Sequence, residues 1–255
     1  MEKLYRSSCS LPQTHRDRNC LPLFAQGIVL KRLSRLAPPA SSLHSPIIGF
    51  FIQPKTPNMP LSNEDMNLIF RNARTQNGWK PKPVSDAQLR ELYELLKWAP
   101  TTMNTNPARI LFLRSQAAKE RLKPALSPGN VDKTMAAPVT AIIAYDTQFY
   151  ELLPKLFPHN QNARGIFAGE EKNAHAERTA FRNGSIQGGY FILAARSIGL
   201  DCGPMSGFDN AKVDAEFFGG TGIRSNFLCN LGYGDPSKVM PRSPRPTFDE
   251  VCQLL

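Results

Sequence analysis

The stretch SIQGGYFILAARSI (residues 185–198) and its continuation GLDCGPMSGFD (residues 199–209) carry the reading of the fold. The first part is apolar on most sides, as a helix in the middle of a structure must be. It stops at Gly199, a natural left-handed C′ residue. The continuation packs three glycines and a proline into eleven positions. So little side chain marks either a loose connection or a place where backbone approaches something closely.

Working outward, Asn226–Leu231 reads as a strand, followed by the turn Gly232-Tyr233-Gly234-Asp235-Pro236. Upstream, Ser85-Asp86-Ala87-Gln88 is a capping box, with Leu89, Leu92, Tyr93 and Leu96 along one face before Pro100 ends the helix. Arg109–Leu113 reads as a buried strand, Ser115–Leu126 as a helix and Val139–Tyr145 as a central strand. The order α-α-β-α-β-α-α-β holds too many consecutive helices for a simple doubly wound sheet and implies an α+β layer architecture.

Residues 1–58 hold seven prolines, scattered charges and no sustained period, and are expected to be a disordered extension. Met59 precedes a clean helix start in which Ser62 caps and Leu61 acts as a staple. The domain boundary is therefore drawn at residue 59, with 59–255 as the folded domain. A misplaced start codon accounts for the extension better than a targeting segment, since neither an amphipathic helix nor a signal-peptide core is evident. The net charge of +10 divides unevenly: +6 lies in residues 1–58 and +4 in the remaining 197. The body is thus mildly basic, with no basic run interleaved with aromatics, which argues against nucleic-acid binding. No run of eighteen apolar residues occurs, so a soluble protein with no membrane partner is expected. Five widely spaced cysteines without a Cys-x-x-Cys pair suggest neither a disulfide framework nor a zinc site, and fit a reducing, cytoplasmic setting. No metal is expected.

A Gly-x-Gly-x-x-Gly turn, a Walker loop and a Gly-x-Ser-x-Gly elbow are all missing from the sequence. What remains is four polar clusters at the edges of the expected elements: Arg71–Trp79, Ala99–Pro107, Asn130–Lys133 and Arg242–Arg245. Each alone reads equally well as a solvated helix end or turn.

In this order, and with the opening stretch, RTQNGW, KWAPTTMNTNPAR, GNVDKTMAAPVTAIIAYD, FRNGSIQGGYFILAARSIGLDCGPMSGFD and NLGYGD resemble the FMN-dependent nitroreductase family. Within it the resemblance is to the branch described as HadB/RutE, malonic semialdehyde reductase-like, and it covers about Leu61 to Leu255. It implies a three-layer α-β-α fold with a central, mainly antiparallel sheet flanked by helices, and a homodimer with FMN at the interface. Arg74, Arg242 and Arg245 would then bind the FMN phosphate, as paired guanidinium forks suit a dianion. Thr75 and Asn77 are assigned to the cofactor beside Arg74, although Thr75-Gln76-Asn77-Gly78 lacks the family's second cation and the run to Trp79 is one residue short. Pro100, Thr101, Thr102 and Asn104 match the family's Pro-Ser-x-x-Asn-x-Gln-Pro loop, with Asn106 in place of Gln, and would reach the flavin held largely by the other subunit.

Asn130 and Lys133 match the pair that contacts the polar edge of the isoalloxazine, where a cation stabilises the charge that reduction places there. Pro204, Met205, Ser206 and Gly207 would lie against the ring. The resemblance further implies ping-pong reduction of a small carbonyl acid by NADH or NADPH, 3-oxopropanoate to 3-hydroxypropanoate, with the hydride carried by flavin N5 and no catalytic side chain identified. Arg164, Arg178 and Arg182 are candidates to hold the acid. The alternatives are a broad nitro- or quinone-reducing enzyme on the same scaffold and, from another class, a non-catalytic flavin-binding or sensing module.

Overall fold

The computed structural model describes residues 60–255, and the expectation of a disordered extension over 1–58 lies outside the described residues. The first helix, α1 (Asn63–Met66), opens with the expected capping box: Ser62 accepts from the Asp65 amide, and the Asp65 side chain accepts from the Ser62 amide. It runs on as one wider turn, Asn67–Arg71. Leu61 is more than half exposed and does not act as a staple. Helix α2 (Asp86–Leu96) repeats the box with Ser85 and Gln88. Leu89, Leu92 and Leu96 are buried, whereas Tyr93, expected on the same face at i+4, is exposed at the border of the apolar stripe.

Strand β1 (Ala108–Leu113) leads to α3 (Gln116–Leu122), α4 (Pro128–Ala136) and β2 (Val139–Asp146). The helix expected over 115–126 stops at Leu122 because Pro124 ends the regular turn, and Lys123–Ala125 tightens into a 3₁₀ turn. A short α5 (Leu153–Leu156) precedes α6 (Asn173–Ser197) and β3 (Asp201–Met205). Helix α7 (Asn210–Phe218), strand β4 (Ile223–Gly232) and α8 (Phe248–Val251) complete the described chain.

The four strands form one antiparallel sheet in the order β1-β2-β4-β3. Alternation along β2 sends Val139, Ala141 and Ile143 to one face, where they meet Leu89, Leu92 and Leu96 of α2 and Phe191, Ala194 and Ala195 of α6. Ile142 and Ala144 face the other way, onto Leu122 of α3 and Val213 and Phe218 of α7. Both faces of β2 are therefore dry, which is why Val139–Tyr145 reads as an apolar run broken only by Thr140. The three-layer α-β-α expectation holds.

Two readings need correction. Arg109–Leu113 is not buried: β1 is an edge strand, and only Leu113 is fully covered. Helix α6 begins at Asn173, twelve residues before the apolar run, because its first half meets the sheet through small and polar residues. A Cβ at Gly184 would lie 2.9 Å from Tyr145 Cβ, and one at Gly188 would lie 2.5 Å from the Phe227 ring. These glycines let the helix axis approach the sheet, at about 1 kcal/mol of helix propensity each.

Candidate functional site at the edge of the sheet

The helix α6 ends as its sequence suggests, with Gly199 at φ +79° and the Leu200 amide donating to the Ala195 carbonyl at 2.9 Å. The stretch beyond it is not a loop, however. Asp201–Met205 is β3, paired with Gly232–Leu228 of β4, and its outer edge is taken up by the first polar cluster. Thr75 bridges Cys202 in parallel, and the Gln76 amide donates to the Cys202 carbonyl at 2.9 Å. Pro204 is tolerated because an edge strand can lack a donor. Gly203 is needed because a Cβ there would lie 2.7 Å from the Gln76 carbonyl and 3.3 Å from the Trp79 ring.

From the other side α4 closes in. The Asn130 side chain donates to the Gly207 carbonyl at 2.8 Å, the Ser127 amide donates to the same oxygen at 3.0 Å, and a Cβ on Gly207 would overlap the Asn130 amide. The carbonyl of Lys133 accepts from the Trp79 indole at 3.0 Å and from Asn230 at 3.3 Å. Asn230 is fully buried and also accepts from Thr140, its register partner on β2, at 2.7 Å. Lys133 is thereby fixed at its backbone while its ammonium has no ion-pair partner among the described residues. Ser206 stands exposed at the end of β3.

The C-terminal segment folds back over this edge. Arg242 donates to the carbonyls of Arg71 at 2.8 Å and Ala73 at 3.1 Å, and Arg74 donates to the Met240 carbonyl. Arg245 turns back on its own segment, to the carbonyls of Ser243 and Pro244. Between the two segments lies a cavity of about 650 Å³, lined by Arg74, Gln76, Lys80, Asp201, Gly234 and Met240 among others.

The second cluster lies elsewhere. Pro100–Asn106 precedes β1, at the opposite edge of the sheet from β3. Met103, Asn104 and Asn106 all have positive φ, a conformation that side chains beyond glycine adopt only when held. Two buried amides of α6 hold it: Asn183 accepts from the Thr102 amide at 2.8 Å and Gln187 accepts from the Ala108 amide at 2.9 Å. The Asn106 amide donates to the Thr101 hydroxyl at 3.2 Å, and the Asn104 side chain donates to the Leu156 carbonyl.

A family model described as the nitroreductase family matches residues 71–233. The chain belongs to the nitroreductase family. A relative from Cupriavidus pinatubonensis, provisionally named NADH dehydrogenase/NAD(P)H nitroreductase, is 61% identical over 193 residues, covering 76% of this chain and 98% of its own. One from Ralstonia pickettii, with the same provisional name and called HadB, is 60% identical, covering 73% and 95%. A solved structure of the provisionally named nitroreductase ydfN from Bacillus subtilis has a TM-score of 0.64 at 21% identity, covering 75% of this chain and 99% of its own. A nitroreductase from Exiguobacterium sibiricum, likewise provisionally named and solved in complex with FMN, has a TM-score of 0.65 at 14% identity, covering 77% and 99%. Likenesses at such identities concern the fold.

In this chain the β3 edge of the sheet gathers Arg74, Thr75, Asn77, Asn130, Lys133, Pro204–Gly207 and Arg242, and leaves Pro100, Thr101, Thr102 and Asn104 at the far edge. Arg164 is engaged by Glu151 in a two-pronged ion pair at 2.7 and 2.8 Å, which holds the Glu151 carboxyl below its usual range. Arg178 and Arg182 stand exposed one turn apart on α6, with no ion pair among the described residues. Sequence reasoning passed over Gln76, Trp79, Asn183, Gln187 and Asn230. Gln76 alternates with Thr75 and Asn77, and its burial beside a chain bridging β3 was the missing signal. Asn183 and Gln187 are spaced i, i+4 in FRNGSIQGG, polar residues on the face that a helix turns to a core.

Proposed function

We propose that residues 59–255 form a flavin oxidoreductase domain that binds FMN along the β3 edge and passes reducing equivalents from NADH or NADPH to a small organic acceptor. The observation that carries this reading is the convergence on one sheet edge of a cation without an ion-pair partner among the described residues, Lys133, a backbone turn at exposed Ser206 and Gly207, and the guanidinium of Arg74 under a C-terminal segment tied down by Arg242. A flat, polar-edged ring ending in a phosphate fits that set. The FMN bound in the Exiguobacterium relative and the NAD(P)H in the names of the curated relatives support it.

When bound, FMN supplies a carrier that accepts two electrons as hydride from the nicotinamide and returns them to the acceptor. The chain's own part is binding and orientation. Lys133 places a positive charge at the edge where reduction builds negative charge, and its backbone is fixed by Trp79 and Asn230 so that the charge costs little reorganisation. The turn at Ser206 and Gly207 presents backbone amides without bulk. Arg74 holds the phosphate; Arg242 braces the C-terminal segment through the Arg71 and Ala73 carbonyls, and Arg245 would have to leave the Ser243 and Pro244 carbonyls to join it.

The loop Pro100–Asn104 lies at the opposite edge, so we assign it to the site of a second copy in a homodimer. Exposed Trp98, Tyr93 and Leu95 near α2 and Phe181, Ile186 and Tyr190 on α6 supply apolar surface for that contact. The acceptor we propose is a carbonyl acid, 3-oxopropanoate, with Arg178 and Arg182 receiving its carboxylate and Arg164 more committed to Glu151. The second reading, a broad nitro- or quinone-reducing enzyme, is favoured by the names of the relatives at 60% identity and above. The experiment is anaerobic: yellow protein should bleach with NADH or NADPH and recover colour on adding an acceptor. kcat/KM on 3-oxopropanoate against a nitroarene then decides the acceptor, and a strong preference for the nitroarene selects the second reading. Flavin that binds but is never reduced would leave only a storage or sensing module.

A further inference from the structure

Gln76 is the one buried side chain of the sheet edge whose polar atom has nothing to bond. It is 7% exposed, and its Oε1 is fully covered with no hydrogen-bond partner. Only one other such orphan occurs among the described residues, on Thr105. An unsatisfied buried carbonyl is costly, and a native chain that keeps one has a use for it. Gln76 lines the 650 Å³ cavity between Arg74 and the C-terminal segment, and Gly234 keeps it there, because a side chain at 234 would overlap the Gln76 amide.

The charges around the cavity are unequal in effect. Asp201 is already satisfied, accepting from Arg196 and, at 2.8 Å, from the Gly234 amide. Arg74 spends one donor on the Met240 carbonyl and keeps the rest of its fork. Lys80, exposed at the rim, makes no ion pair among the described residues. The cavity is therefore a place with two cations open to an anion, next to a buried acceptor waiting for a hydroxyl or amide donor.

Building on the FMN reading above, we infer that this cavity holds the phosphate and ribityl end of the cofactor, with Lys80 replacing the second cation that Thr75-Gln76-Asn77-Gly78 lacks and Gln76 Oε1 accepting from a ribityl hydroxyl. The two residues then act on different parts of the ligand. Lys80 meets only the phosphate, which riboflavin does not have. Gln76 meets the ribityl chain, which FMN and riboflavin share.

The test is a flavin-fluorescence titration of wild type, Lys80→Gln, Lys80→Arg and Gln76→Leu with FMN and with riboflavin, and a thermal melt of each without flavin. Lys80→Gln should weaken FMN about tenfold and leave riboflavin within twofold, and Lys80→Arg should restore FMN. Gln76→Leu should weaken both flavins by the same factor, about fivefold, while the flavin-free chain melts at the same temperature or higher, since an apolar isostere removes the orphan. A Lys80→Gln variant with an unchanged FMN-to-riboflavin ratio, or a Gln76→Leu variant that melts lower or binds both flavins as before, would overturn the assignment with the FMN reading intact. Wild-type protein that binds neither flavin overturns both.

Discussion

The Trp79 indole donates to the carbonyl of Lys133 at 3.0 Å, tying the segment beside β3 to the end of α4 across 54 residues of sequence. Trp79→Phe keeps the ring and deletes that donor. The loss of a single hydrogen bond, about 1 kcal/mol, should weaken FMN about fivefold by loosening Lys133 and lower the melting temperature by a few degrees. Flavin titration with a parallel melt checks both.

The strained loop at Met103–Asn106 depends on α6. Asn183→Ala leaves the Thr102 amide of the loop without its acceptor and Gln187→Ala does the same to the Ala108 amide where the loop enters β1, each at about 1–3 kcal/mol. Hydrogen exchange should show lost protection at Thr102 in the first variant and at Ala108, the first residue of β1, in the second, with the amides of β2, β3 and β4 unaffected. Uniform loss across the sheet would show that the two amides support the core rather than the loop.

Two glycines in helices should respond with opposite sign. Gly188→Ala pushes a methyl into the Phe227 ring and should cost about 1–3 kcal/mol in a denaturant melt. Gly129→Ala, in α4 with nothing within 4 Å, should gain up to about 1 kcal/mol. Equal effects would mean that α6 does not approach the sheet so closely.

If the loop at Thr101–Asn104 serves a second copy, breaking the pair should empty the site. Trp98→Glu combined with Ile186→Glu places charge on exposed apolar positions, so the single chain keeps its fold. Sedimentation should move from dimer to monomer and FMN should be lost with it. A monomer that keeps FMN fully would place the whole site within one chain.

The two buried thiols should be inert. The hydrogen bond with the Cys202 thiol and then burial push the Cys229 thiol well above its usual range, so between pH 7 and 9 it stays protonated, and the thiol form is a poor nucleophile. In a chain with Cys9, Cys20 and Cys252 replaced by Ser, an alkylating reagent at pH 9 should label neither Cys202 nor Cys229 until denaturant is added. Labelling of the native chain would reveal an opening of the β3 edge.

The elements that sequence made legible are those whose side chains report their surroundings. Val139–Tyr145 announces a strand covered on both faces, and Ser85 with Gln88 announces a helix start; both stand where expected. The polar edge was legible as separate clusters because Arg74, Asn130 and Arg242 sit at element boundaries. What stayed hidden was held by residues without a periodic signal. The first half of α6 buries Ala176, Thr179, Ala180, Asn183 and Gly184, small and polar residues that make no apolar stripe, and Gly184 and Gly188 allow close approach to the sheet by having no side chain. Strand β3 was unreadable for a related reason: Gly203 and Pro204 argue against a strand in local propensity, and only the neighbouring Gln76 and β4 make one of them. Gln76, Asn183 and Gln187 look like surface amides, and their burial depends on partners far away in sequence.

The strand order β1-β2-β4-β3 also dictates a timetable. Strand β2 must wait for β4, which is 77 residues further on from Asp146 to Ile223, before its second edge is covered, and β3 has no sheet to join until β4 has entered between them. As the chain leaves the ribosome, the segment around Gln76 emerges early and its partner edge is completed only with Gly232. Until that moment the newborn protein exposes one flank of its most apolar strand, and the pocket-forming edge is the last piece of the sheet to come into being.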